Sequence, residues 1–175
     1  MFSGWSNFFT MTGAAGATLV GLLFVVVTLN TGLTTSRKLD IAHASLTPVL
    51  DSFGGVLLQS MVALVPWQSN LPSGIIFVVI GIGGLSYRIN TARVRRSLHL
   101  RAIQSKMDRI MHNLIPIVAS VILIYGGLIY GGAELIAGEA FAPFAIAGST
   151  TLLLFSGIYR TWGETLAFIE LSDKS

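Results

Sequence analysis

The sequence predicts an all-α protein, a polytopic bundle of five transmembrane helices that forms one domain over residues 1–175. Of its 175 residues, 53% are hydrophobic and only 11% are charged, whereas soluble domains average about 25% charged residues. Five apolar stretches separated by polar breaks follow one another along the chain. With five crossings, every lysine and arginine falls on the same side of the membrane, which predicts that the N-terminus is outside and the C-terminus inside.

The first three spans differ in length. The first covers about 8–29 and the second about 42–65, where the polar run "PWQSNLPSG" ends it. Both reach the roughly 20 residues that a helix needs to cross the hydrocarbon. The third, about 74–88, is short. It either borrows flanking residues to cross or turns back within the membrane.

The fourth and fifth spans cover about 113–130 and about 141–159. Pro143 lies in the first turn of the fifth span, where the missing N–H of a proline costs little. Pro48 and Pro116 lie similarly near the starts of the second and fourth. Residues 88–112 form a basic segment between the third and fourth spans.

The distribution of charge predicts the orientation. Arg37 and Lys38 lie between the first two spans, seven basic residues lie within 88–109, and Arg160 and Lys174 follow the fifth span. The opposite side holds the amino terminus, Glu134 and Glu139. Basic loops favour the cytoplasmic side, so we expect a multi-pass protein of a cell inner membrane. Four spans would scatter these loops over both faces.

Small residues predict how the helices pack. Lipid gives helices no hydrophobic drive to associate, so close backbone approach must hold them together. Gly13, Ala17 and Gly21 recur at intervals of four in the first span. They either pack helices within one bundle or present a smooth face to a neighbouring subunit. Because five helices enclose little volume for a pore or a large site, we expect a homo-oligomer.

The second span carries polar residues at every fourth position: His43, Thr47, Asp51 and, after Gly55, Gln59. A charged carboxylate at the centre of a membrane helix costs about 2.5–3.5 kcal/mol. Asp51 must therefore face protein or water and find partners. The candidate partners are Thr47, Ser52, Gln59, Ser60 and, if Asp51 lies at a shallow depth, Arg88.

Two hypotheses explain this stripe. In the first, Asp51 is hydrogen-bonded and clamps two helices together. In the second, Asp51 and Gln59 lie on an ion or proton path that also includes Thr47 and His43, because ionisable residues within a membrane are functional candidates by default. The leading functional hypothesis is thus a small oligomeric channel or ion-translocating unit.

The basic segment supports a rival hypothesis. Its apolar residues recur at roughly helical spacing, which is typical of an amphipathic helix at a membrane surface. The residues predicted to contact anionic lipid headgroups or a partner protein are Arg93, Arg95, Arg96, Arg101 and Lys106. The protein would then be a non-catalytic accessory or regulatory protein. Nucleic acid is not expected as a partner, because no stacking aromatic residues interleave the charges.

Enzymatic function is not predicted. The chain has no cysteine, no H-E-x-x-H motif and no serine in a nucleophile elbow. Its three histidines, His43, His99 and His112, have no metal-ligand spacing. We therefore expect no catalytic residues, no metal site and no cofactor.

The first span carries one recognisable pattern. Trp5-Ser6, Phe8-Phe9, Gly13-Ala14-Ala15, the run from Gly21 to Val25, and Asn30 resemble a set of small bacterial multi-pass proteins, some of which are described as modulators of a membrane-bound AAA protease. The resemblance covers mainly this span. It implies a bacterial inner membrane and an accessory or transport role, and it assigns no role to any residue.

Overall fold

The computed structural model describes residues 2–29, 36–99 and 107–172, with side chains described mainly over 4–25, 49–91 and 119–162. These residues form a 3₁₀ turn and five α-helices, and they include no strand. After the turn at Ser3–Trp5, α1 covers Ser6–Leu29, α2 covers Ser36–Leu64, α3 covers Asn70–His99, α4 covers Met107–Ala137 and α5 covers Ala142–Ser172. The all-α prediction is confirmed.

Four of these helices are long and apolar enough to cross a membrane. The qualifying stretches are Ser6–Val25, Asn70–Thr91, Ala119–Ala137 and Ala142–Trp162. In α2 the described apolar stretch, Val49–Leu64, is shorter. Five crossings and their orientation therefore stay predictions, as does the single domain.

The third apolar segment belongs to an unbroken helix. α3 has 30 residues, so it extends the predicted span 74–88 at both ends. Pro72 lies in its first turn, where a proline is tolerated, and the Ser73 hydroxyl donates to the carbonyl of Asn70 at 2.9 Å. The segment contains no turn back, and Asn70–Thr91 has the length of a full crossing.

A glycine ends α4. Gly138 has a φ of 81°, in the left-handed region that glycine adopts most readily. The N–H of Gly138 donates to the carbonyl of Leu135 at 3.2 Å, and the N–H of Glu139 donates to that of Glu134 at 3.0 Å. This is the Schellman pattern. Glu134, expected on a loop, is thus part of α4, while Glu139 lies in the exposed turn before α5.

The chain divides into two compact units, and the first comprises Pro66–Ser149. Here α3 and α4 approach so closely that two glycines face each other. A methyl group on Gly74 would lie 2.7 Å from the carbonyl oxygen of Gly132, and one on Gly132 would lie 2.9 Å from that of Gly74. Contacts of this kind replace the hydrophobic drive that lipid does not supply.

The second unit comprises Phe2–Val65 with Thr150–Ser175. A methyl group on Gly13 would lie 3.0 Å from Cβ of Ser60, and one on Gly16 would lie 3.1 Å from the carbonyl oxygen of Phe53. Gly13 and Gly16, together with the fully buried Phe9, therefore form the side of α1 that faces α2.

Of the three residues predicted to pack α1 against other helices, Gly13, Ala17 and Gly21, only the first lies on the side that faces α2. Gly13 is buried, but Ala17 and Gly21 are exposed, and nothing lies within 4 Å of a methyl group placed on Gly21. Each step of four residues advances about 40° around a helix. Residues 13, 17 and 21 therefore turn progressively away from α2, whereas residues 9, 13 and 16, at steps of four and three, stay on the side that faces it. Whether Ala17 and Gly21 contact a neighbouring subunit stays a prediction.

Large apolar side chains cover much of the described surface. Four of the most exposed, at 59–74% of their full accessible area, are Met11, Phe24, Leu123 and Phe155. Water-soluble monomers rarely expose large contiguous apolar patches, whereas a lipid bilayer solvates such surfaces. The exposed apolar side chains and the four long apolar helices together indicate a membrane protein.

We predict that Gly132→Ala destabilises the protein by about 1–3 kcal/mol, the usual effect of overpacking. The added methyl group would meet backbone atoms of Gly74 and Val78 at 2.9 and 3.0 Å, which cannot rotate away. Unfolding by sodium dodecyl sulfate, followed by circular dichroism in mixed micelles, measures the change.

The matched control is Gly126→Ala on the same helix, where an added methyl group meets nothing within 4 Å. We expect this variant to be at least as stable as the parent, because alanine favours a helix over glycine by about 1 kcal/mol. Equal unfolding midpoints for the two variants would show that the glycine contact does not hold α3 against α4.

Candidate functional site

The candidate site begins with the polar stripe of α2. Its members advance four residues at a time, so each lies about 40° further around the axis than the one before. The stripe consequently winds from the surface inward. Thr47 is exposed, Asp51 is half-buried and Gln59 is only 1% exposed. The side chain of His43 lies outside the described residues.

Two adjacent residues at the inner end of this stripe bond α2 to two other helices of the same unit. The Thr150 hydroxyl on α5 donates to Oε1 of Gln59 at 2.8 Å. Oγ of Ser60 lies 3.1 Å from Oγ1 of Thr12 on α1. Neighbouring residues of a helix point about 100° apart, so one meets α5 and the other α1. We call Thr12, Gln59, Ser60 and Thr150 the polar layer.

The polar layer is deeply buried. Gln59 and Ser60 are each 1% exposed and Thr150 is 0% exposed. Burying such groups is unfavourable unless they are hydrogen-bonded, and interhelical hydrogen bonds in membrane proteins contribute about 0.6 kcal/mol on average. The layer therefore fixes which helices meet more than it raises stability.

The hydrogens of the layer can be assigned in part. Oγ1 of Thr12 lies 3.0 Å from the carbonyl oxygen of Phe8, and a carbonyl can only accept. Because a hydroxyl has one hydrogen, Thr12 donates to Phe8 and accepts from Ser60. Donation thus runs from α2 to α1 at Ser60 and from α5 to α2 at Gln59.

One half of the Gln59 amide has no partner among the described residues. Nε2 is buried and makes no hydrogen bond. Exchanging the amide nitrogen and oxygen would not remove the deficit, because the other atom would then be left without a partner. An unsatisfied buried donor costs about 1–3 kcal/mol, so this position suits a water molecule or another acceptor.

Asp51, eight residues before Gln59 on the stripe, also has an unsatisfied hydrogen-bonding atom. Its Oδ2 is buried without a hydrogen-bond partner in the described part of the chain. Two of the partners proposed from the sequence, Gln59 and Ser60, bond to Thr150 and Thr12 instead. Asp51 and Gln59 are eight residues apart, about 12 Å along the axis, so no single small ion could touch both.

Contacts with α5 set the surroundings of Asp51. A methyl group on Gly55 would lie 3.0 Å from Cδ2 of Leu153, and one on Gly157 would lie 2.6 Å from Cε1 of Phe53. Residue numbers rise on one helix as they fall on the other, so the helices are antiparallel. Extending this register brings Asp51 level with the Gly157 turn, about one turn from the half-buried Arg160.

The residues predicted to meet lipid or a partner lie elsewhere. Arg93 is exposed near the C-terminal end of α3, and Arg88 is half-buried one turn earlier. The side chains of Arg95 and Arg96 lie outside the described residues, as do Arg101 and Lys106 altogether. Their predicted contacts therefore stay predictions.

Metal ligands do not cluster in the described part of the chain. There, no three histidine, cysteine, aspartate or glutamate side chains come together in a way that could hold a metal ion. Asp51 and the polar layer offer carboxylate, hydroxyl and amide groups instead, which can exchange hydrogen bonds with one another and with water.

Sequence reasoning singled out Asp51 and Gln59 but missed two members of the polar layer. Thr12 and Thr150 lie in spans that were read for their small and aliphatic residues alone. A signal was present in "GSTT", residues 148–151, which places three hydroxyls in the middle of an apolar helix. Hydroxyl residues at such positions commonly bond across helices.

We predict that Thr150→Val destabilises the protein by about 1–2 kcal/mol, because it leaves the buried Gln59 amide without its described partner. The shape of the side chain is almost unchanged. Unfolding in sodium dodecyl sulfate measures the effect. Thr18→Val is the control, since the Thr18 hydroxyl is exposed and donates to the carbonyl of Ala14 within its own helix at 2.8 Å.

The pair Gln59→Leu and Thr150→Val tests the bond itself. Replacing both partners by apolar residues removes the unsatisfied group, so we expect the double variant to be more stable than Thr150→Val alone. Additive losses would show that the two side chains do not interact.

Comparison of the chain with protein-family models, curated proteins and solved structures gave no match. No residue role can be carried over from a relative, and the resemblance of the first span to small bacterial multi-pass proteins stays a prediction. The functional argument therefore rests on Asp51 and the polar layer.

Proposed function

We propose that this protein moves protons or small cations across a membrane, with Asp51 as the group that takes up and releases the ion. The observation that carries the proposal is the buried Oδ2 of Asp51, which has no partner among the described residues. A carboxylate that served only to clamp helices would bond to its neighbours. A carboxylate with an unfilled buried oxygen is suited to receive a proton, a cation or a water molecule.

The polar layer supports the same proposal. Gln59 of this layer lies about 12 Å from Asp51 along α2. Its Nε2 is a hydrogen-bond donor without a partner among the described residues. Water molecules spaced by hydrogen bonds of about 2.8 Å would bridge this distance in a file of roughly four. Such a file would carry protons between hydroxyls and the carboxyl group, and the side chain of Leu153, which packs against Gly55 between them, would have to rotate aside to admit it.

The proposal includes a threading of the chain. Five helices cross the membrane, with the N-terminus outside and all the basic residues in the cytoplasm, as expected for a bacterial inner membrane. Asp51 is 13 residues before the end of α2 at Leu64, about 20 Å from the outer end of the helix. In a hydrocarbon core of about 30 Å, the carboxyl group lies closer to the cytoplasmic side.

The proposed assembly is a homo-oligomer. One copy of five helices has little interior volume for a pore, so a path past Asp51 requires neighbouring copies to complete it. The exposed Ala17 and Gly21 are small residues of α1 that can make such contacts, since Gly13 and Gly16 already pack against α2.

A second candidate function is that of an accessory protein that docks a partner or anionic lipid through residues 88–112. Exposed Arg93 favours it, because an unburied guanidinium at the end of a membrane helix is free to meet an anionic group. This function does not use Asp51, which separates it from the first.

The threading can be tested by cysteine labelling, because the natural chain has no cysteine. We expect Gln68→Cys and Glu139→Cys, both at exposed positions between helices, to react with a membrane-impermeant maleimide in intact cells. Arg93→Cys should react only after the membrane is permeabilised. Labelling of Arg93→Cys in intact cells would overturn the five-span threading.

The ion path can be tested in proteoliposomes that contain a pH-sensitive dye. With an imposed H⁺ gradient, and with valinomycin and equal K⁺ on both sides to hold the membrane potential near zero, the dye should report proton flux through the parent. A Na⁺ gradient with a Na⁺-sensitive dye tests a small cation in the same way. We expect Asp51→Asn to lower the flux by about tenfold or more, since a neutral amide takes up no proton near neutral pH and lacks the negative charge that attracts a cation. Tenfold corresponds to about 1.4 kcal/mol in the barrier.

Glu139→Gln is the matched control, because it removes the same charge from an exposed turn outside α4 and α5. It should transport as the parent does. Equal reconstitution of all three proteins is checked by size-exclusion chromatography and orientation assay. If the parent shows no flux, or if Asp51→Asn transports at the parental rate, the ion path is wrong.

A further inference from the structure

We infer that α3 carries a binding site for one phospholipid with an anionic headgroup, formed by Ile75, Val79, Ile82, Ser86, Asn90 and Arg93. We call these six residues the lipid face. The acyl chain would lie along its apolar half and the phosphate at its polar half. The inference does not depend on ion transport and uses neither Asp51 nor the polar layer.

The six residues lie on one side of the helix. Successive members are four, three, four, four and three residues apart, a spacing that keeps side chains on one face of an α-helix. All six are exposed. The three apolar members, Ile75, Val79 and Ile82, are 46%, 62% and 52% exposed, so they form an open apolar strip rather than part of a core.

The other side of α3 is already occupied. Gly74, Gly81 and Gly84 approach α4 so closely that an added methyl group would collide with Gly132, Ile129 and Tyr125, respectively. These glycines are seven and three residues apart, a spacing that keeps them on one side of the helix, opposite the lipid face. α3 is therefore fixed against α4 by one side and offers the other to its surroundings.

A shallow, open depression marks the polar half of the lipid face. It is lined by Ser86, Tyr87, Ile89, Asn90 and Arg93, all on α3. Serine and tyrosine hydroxyls, an asparagine amide and a guanidinium lie there within about two turns of the helix. All four can donate hydrogen bonds, and the guanidinium matches the oxygens of a phosphate in charge and in shape.

The sequence of α3 changes from apolar to polar along the lipid face. Its apolar run, residues 74–85, ends at Leu85, and Ser86, Tyr87 and Arg88 follow at once. In a membrane, the polar half would lie near the phospholipid headgroups, just outside the hydrocarbon. A phospholipid has acyl chains followed by an anionic phosphate, which matches the succession of apolar and then polar residues along the lipid face. A soluble anion would match only the polar half.

Native mass spectrometry of the full chain in detergent micelles tests the inference. The protein is titrated with equal amounts of phosphatidylglycerol and phosphatidylcholine that carry the same acyl chains. We expect the parent to retain phosphatidylglycerol in preference by about fivefold, and Arg93→Gln to lose most of this preference. About fivefold is the effect expected for one basic residue near an anionic lipid.

Arg37→Gln is the matched control. It removes the same charge from the first turn of α2, outside the lipid face and outside residues 88–112. The preference should persist in this variant and in Arg93→Lys, which keeps the charge. Equal preference in the parent and Arg93→Gln, or an equal loss in Arg37→Gln, would overturn the site.

Two further arms separate a lipid from other ligands. Inorganic phosphate added in excess should leave the retained phosphatidylglycerol unchanged, because it has no acyl chain to contact the apolar strip. Val79→Ser should lower the retention of both lipids while the preference between them stays. Displacement by inorganic phosphate, or full retention of both lipids by Val79→Ser, would show that the lipid face does not bind a whole phospholipid.

Discussion

Helices in this protein are held by the close approach of their backbones at glycine. In lipid, burial of apolar side chains adds nothing to helix association, since the tails are as apolar as leucine. Gly74 against Gly132, and Gly13 and Gly16 against α2, bring main-chain atoms into contact instead. Apolar side chains such as Ile75 and Phe155 then remain on the outside, where water would not tolerate them and lipid does.

In a closely packed unit, each buried polar group must find a hydrogen-bond partner on its own or a neighbouring helix or remain unsatisfied. The polar layer pairs Thr150 with Gln59 and Ser60 with Thr12, so α2 is bonded to both α5 and α1 at one level. Nε2 of Gln59 and Oδ2 of Asp51 are the exceptions, because each is buried without a hydrogen-bond partner among the described residues. Groups that a tightly packed unit leaves unsatisfied are the natural places for water, protons or ions, which is why the proposed path passes through them.

The two proposals concern different helices and different physical forces. In the first, a half-buried carboxyl group on α2, with its Oδ2 buried, would bind the ion; in the second, exposed residues on α3 would bind a lipid. The first depends on desolvation and on the lack of competing partners. The second depends on the match between an exposed helix face and the order of apolar and charged groups in a phospholipid. Either could hold without the other.

Composition and hydrophobic patterning alone predicted the helical class, which is confirmed, and a membrane setting, which the four long apolar helices support, because both can be read without knowing which helices meet. An isolated acid in an apolar span pointed to Asp51, whose role stays a proposal. The sequence also placed Gln59 on the same winding stripe. Helical periodicity alone extended the packing face of α1 to Ala17 and Gly21, which are exposed. Only tertiary structure decided that Gly16 packs, that Thr12 and Thr150 complete the polar layer, and that one side of α3 stays open. Those outcomes depend on which residues of distant segments are brought level with one another, and that register is a property of packed helices rather than of any one of them.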